Sequence, residues 1–97
     1  MGQLHQLSQF LRRITADVNL RTCHISLYTV LCQVWLENGC KSPFNISRRK
    51  IMSLSRINSL ATYHQVIRDL IIHRYIHYNP SYHPVKGSEV SLIDPTL

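Results

Sequence analysis

Apolar residues at Leu4, Leu7, Phe10, Leu11, Ile14 and Val18 recur at three- and four-residue spacing, which lines up one stripe of an amphipathic helix over residues 3–19. Arg12, Arg13 and Asp17 fall largely on the other side, as a solvated face requires. The next pattern differs. From Ile25 to Glu37 the residues Ile25, Leu27, Tyr28, Val30, Leu31, Val34, Trp35 and Leu36 point nearly all round a helix, the signature of a buried central element. Asn38-Gly39 supplies its stop, because both residues tolerate the left-handed backbone that closes a helix.

Pro43-Phe44-Asn45-Ile46 reads as a short strand after a Lys41-Ser42-Pro43 loop. Ser47 is a good N-cap for a short helix from Arg48 to about Ser53, with Ile51, Met52 and Leu54 toward the core. Polar, turn-prone Ser55-Arg56-Ile57-Asn58 interrupts it, and Ser59 caps a longer helix. In that helix Tyr63, Val66, Ile67, Leu70 and Ile71 form the inward stripe, while Ala61, Thr62, Gln65 and Arg68 look outward. Tyr75–Tyr78 is β-prone, 79–87 is loop-like, and Ser88-Glu89-Val90-Ser91-Leu92 alternates as a strand does. The expected fold class is therefore mainly α with a small, long-tipped β-hairpin.

With 97 residues there is material for one core and no second domain. The formal charge of +6 implies an anionic partner, nucleic acid or an acidic surface. No apolar run reaches the roughly 18 residues that span a bilayer, and no basic region precedes an apolar one at the N-terminus, so the expectation is a soluble, cytoplasmic protein without a membrane partner. Cys23, Cys32 and Cys40 form no closely spaced metal pair, and an odd count suits reduced thiols. No Cys/His quartet has zinc-finger spacing, so neither metal nor cofactor is expected. No Ser/His/Asp constellation, phosphate-binding glycine loop or paired-carboxylate motif stands out, and an enzyme is not expected.

The order helix, short strand, helix, turn, helix, hairpin resembles the winged helix-turn-helix fold, here carrying an extra N-terminal amphipathic helix. Ile25-Ser26-Leu27-Tyr28, Trp35, Pro43-Phe44-Asn45-Ile46, Ser59-Leu60-Ala61-Thr62-Tyr63-His64, Tyr75-Ile76-His77-Tyr78-Asn79-Pro80-Ser81 and Lys86-Gly87-Ser88 sharpen the likeness. They resemble small winged-helix proteins of Bacteroidetes mobile elements and prophages, described as transcriptional regulators or transposon accessory proteins. The resemblance implies a winged helix-turn-helix domain over 23–93, to which the periodicity adds an N-terminal amphipathic helix over 1–22, and the terminal 94–97 are expected to form a frayed tail. The resemblance also implies binding to double-stranded DNA, with transcription regulation or an excision or replication accessory role as the biological setting. Two departures stand out. His73-Arg74 occupies the place where these proteins want Leu-Gly, and Lys50 stands where a capping box needs an acid.

Between Lys41 and Lys86 the basic residues face a single acid, Asp69. Arg48, Arg49 and Lys50 open a helix, where the macrodipole disfavours cations by ~0.3–1 kcal/mol each, so a phosphate clamp is the functional reading, with Arg56, Arg68 and Lys86 in neighbouring elements. Ser59, Thr62, Gln65 and Arg68 are the expected DNA-contacting residues of the second helix, Gln suiting adenine and Arg guanine. The alternative is a winged-helix protein-interaction module without DNA readout. The N-terminal stripe has two possible roles, covering the domain or forming an isologous homodimer contact.

Overall fold

The computed structural model describes residues 2–81 and 87–94. Among them the order is α1 (Gly2–Ala16), α2 (Thr22–Glu37), β1 (Phe44–Ile46), α3 (Arg48–Ser55), α4 (Leu60–Ile72), β2 (Ile76–Asn79) and β3 (Ser88–Leu92). The result is mainly helical, with a small three-stranded antiparallel sheet in the order β1-β3-β2. β3 is central: it pairs Val90 with Phe44 on one side and with Tyr78 on the other. Alternation then turns Phe44, Ile46, Val90 and Leu92 onto the helices. Lys86 and most of the expected hairpin tip lie outside the described residues.

α2 is the centre of the core, burying Leu27, Tyr28, Leu31, Cys32 and Trp35, although Leu36 is exposed and the burial is therefore not all round. α2 begins earlier than its apolar run predicts. The His24 ring accepts the Arg21 backbone N–H at Nδ1 (3.0 Å), which satisfies a donor at the helix start.

α1 is shorter than the periodicity predicts. Asp17 turns the chain by accepting from the Asn19 N–H (3.0 Å), which leaves Val18 outside the helix and 94% exposed. The stripe divides. Phe10 and Ile14 are buried in the common core, Phe10 meeting Trp35 edge-on at 5.3 Å, while Leu4 is exposed and Leu7 and Leu11 are half-buried. Covering the domain is thus the part taken by the buried pair.

α1 also reaches the end of α4. The Arg13 guanidinium donates to the carbonyls of Arg74 (2.9 Å) and His73 (3.0 Å) and lies 4.0 Å over the Tyr75 ring, whose hydroxyl donates to Asp17 (2.7 Å). These contacts answer the missing glycine. Arg74 is left-handed at φ 61°, and the Tyr75 and Arg74 N–H groups return to Leu70 and Ile71 carbonyls, so α4 closes as a Schellman motif without glycine. Because Tyr75 serves that closure, β2 starts at Ile76 rather than at Tyr75.

Two further apolar residues expected inward face out. Ile71 lies about 100° round from Leu70 and is 39% exposed, and Leu54 is 44% exposed. α3 runs two residues past Ser53, because the buried Ser55 hydroxyl donates to the Ile51 carbonyl (2.6 Å). The Ser55 carbonyl in turn accepts from Ser26 of α2 (2.7 Å), locking α3 to α2.

Candidate nucleic-acid interface

Ser47 takes extended backbone before α3, and its hydroxyl accepts the Lys50 N–H (3.4 Å), so a local cap sets where the helix starts. Arg48, Arg49 and Lys50 follow in the first turn, all exposed and beside helix N–H groups that no helical carbonyl can satisfy. They line an open groove of about 680 Å³. Asn45 of β1, Tyr63 and His64 of α4, and Tyr78 and Ser88 of the hairpin border the same space.

The hairpin is brought this close by Gly87. Its φ is +70°, and a Cβ there would collide with the Ile46 carbonyl oxygen, so a side chain would push β3 away from the start of α3. The Tyr78 hydroxyl donates to Ser88 Oγ (3.0 Å), pinning the base of the hairpin. Burial pushes the Tyr63 phenol up to about 12, with nearby Tyr78 acting in the same direction and Arg48 against it. Tyr63 is thus a neutral wall of the groove.

Thr62 and Gln65 lie elsewhere. They border a second groove of about 520 Å³ with Asn19, Arg21, Cys23, His24 and Asp69, between the start of α2 and the side of α4. His24, which accepts at Nδ1, is left to donate from Nε2 to Asp69 Oδ2 (2.8 Å). Gln65 Nε2 donates to Asp69 Oδ1 (2.8 Å). The carboxyl is held below its ordinary 3.8, first by the His24 hydrogen bond, with slight burial opposing and Gln65 adding to the effect.

Of the other expected residues, Arg56, Ser59 and Arg68 line neither groove. Arg56 follows α3 in the left-handed region at φ 62°, where its backbone N–H returns to the Ser53 carbonyl. Ser59 is an N-cap, its hydroxyl accepting the Thr62 N–H (3.3 Å). Arg68 is exposed on α4, and Lys86 lies outside the described residues. The basic turn and α4's Thr62 and Gln65 therefore belong to two neighbouring grooves rather than one.

His64, Asn45 and Ser88 were not anticipated, nor was the pairing of His24 with Asp69. The Gln65–Asp69 contact has a sequence signal, the i,i+4 spacing of an amide and a carboxylate on a helix. His24 has none, being 45 residues from its partner. Among the described residues no three His, Cys, Asp or Glu side chains converge as a metal site, and no helix is long and apolar enough to cross a membrane. No family model, curated protein or solved structure matches the chain.

Proposed function

We propose that this chain is a winged helix-turn-helix domain that binds double-stranded DNA, with α3 and α4 as the helix-turn-helix, α4 as the recognition helix and β2–β3 as the wing. One observation carries the reading: three consecutive cations at the start of α3 border the same open groove as the hairpin base and His64. Cations at a helix start disfavour the free fold by ~0.3–1 kcal/mol each. An anion seated there reverses the sign, since backbone N–H groups and basic side chains then converge on it. A DNA phosphate is such an anion, and the open groove leaves room for the rest of a duplex backbone to run past. On α4 Thr62, Gln65 and Arg68 are exposed and are of kinds that reach base edges or phosphates. The setting, a regulator or an excision or replication accessory factor of a mobile element, rests on the sequence resemblance alone.

Fluorescence anisotropy with labelled random duplexes at a series of salt concentrations tests the reading. Binding should weaken steeply with salt, and Lys50→Ala should flatten the plot of log affinity against log salt by about one unit, one fewer counterion being released. Absence of binding to any duplex at low salt would overturn it. The exposed Ile71 and Ile72 of α4 would then direct attention to a protein partner.

A further inference from the structure

Asp69 is the only acid between Lys41 and Lys86, and it stands on the helix assigned to base reading. A carboxylate beside a polyanion is repelled, so its presence there calls for a compensating role. Its two oxygens are both engaged: Oδ2 accepts from His24 Nε2 and Oδ1 from Gln65 Nε2, each at 2.8 Å. The identity of the Gln65 donor follows from chemistry, because an ionised carboxylate only accepts and the amide must turn its nitrogen toward it. His24 is itself fixed, buried and held at Nδ1 by the Arg21 N–H. A chain of three hydrogen bonds therefore runs from the start of α2 through His24 and Asp69 to an exposed side chain on α4.

Gln65 gives one of its two Nε2 hydrogens to Asp69. It keeps the carbonyl oxygen and the second N–H, the acceptor and donor that the major-groove edge of adenine requires from one amide. A glutamine held before binding loses less rotamer freedom on forming those two bonds than a free one. We propose that Asp69 and His24 are positioning residues which hold Gln65 ready to read one A·T pair in the major groove. This rests on the DNA-binding reading above, and its test separates the two.

Sites are selected from a random duplex library with the unaltered protein, with Gln65→Ala and with Asp69→Asn, and affinities are measured for the selected and random duplexes. The unaltered protein should select a site containing one A·T pair whose exchange for G·C weakens binding roughly 5- to 100-fold. Gln65→Ala should abolish that preference. Asp69→Asn should lose most of it, its affinity for random duplexes not falling, and the double variant should be no worse at that position than either single one. Full preference in Asp69→Asn beside its loss in Gln65→Ala overturns the positioning role. Preference unchanged in both overturns Gln65 as the reader. No binding to random duplexes removes the DNA-binding reading instead. A measurement on the unaltered, DNA-free protein covers the case in which Asp69→Asn does not fold. Side-chain amide relaxation by NMR should show Gln65 rigid while exposed Gln3 and Gln33 move freely, and a Gln65 amide as mobile as theirs also overturns the proposal.

Discussion

Replacing Arg13 by alanine tests whether α1 closes the end of α4. Two N–H groups of one guanidinium are lost from the carbonyls of Arg74 and His73, together with the 4.0 Å stacking over Tyr75. Both hydrogen bonds lie at the surface, so each is assigned the range of an ordinary pair, about 0.5–1.5 kcal/mol, rather than that of a desolvated ion. An exposed cation–π contact adds roughly 0.5–1 kcal/mol. The expected loss is about 2 kcal/mol of unfolding free energy. At roughly 4–8 °C per kcal/mol for a domain of this size, Tm should fall by about 8–16 °C. Arg13→Lys should recover less than half of this, because an ammonium cannot fork to two carbonyls. Arg12→Ala, one position away on the exposed face, should stay within about 0.5 kcal/mol of the parent. Thermal unfolding followed by circular dichroism reads all three. If Arg13→Ala melts within about 2 °C of the parent, the closure of α4 does not depend on α1 and the reasoning fails.

Arg74→Gly relieves a left-handed non-glycine residue and should stabilise by about 1 kcal/mol, read as a rise in the urea midpoint at constant m-value; an unchanged or lower midpoint would contradict the backbone account. The Tyr28 hydroxyl is buried without a protein partner among the described residues, so Tyr28→Phe should raise stability by roughly 1 kcal/mol in thermal melts, a decrease meaning that the hydroxyl is paired. Asp17 is held below its ordinary 3.8, first by the Tyr75 hydroxyl and then by the Asn19 N–H, and Asp69 is likewise lowered. A folded value below the unfolded one makes the contribution full above about pH 5 and lost as pH falls through 3.8 toward the folded values. The stability gap between the parent and Asp17→Asn should therefore shrink from pH 5.5 to pH 3, and a gap independent of pH would rule out the Tyr75–Asp17 bond as its source.

The order of elements was legible because it depends on local terms. Three- and four-residue periodicity marks α1 and α4, a run apolar nearly all round marks α2, alternation marks β3, and the hydroxyls of Ser47 and Ser59 bond N–H groups three residues on, within reach of any sequence reading. The same holds for the concentration of basic residues at Arg48–Lys50, which charge alone displays. What chain order conceals is which neighbour each surface meets. Arg13 lies about 60 residues from the carbonyls it bonds and His24 lies 45 from Asp69, so no periodic signal ties them. Arg74 in the left-handed region runs against local preference and coexists with tertiary contacts from α1 that bond the carbonyls at that helix end. Leu54 and Ile71 are as apolar as their buried neighbours, and only the packing of α2 and the sheet decides which arc of each helix is covered. The separation of the basic turn from Thr62 and Gln65 has the same origin. Both sets are outward and polar in sequence, but the hairpin closes against one side of α4 and the start of α2 against the other, and this tertiary arrangement divides one polar face into two grooves.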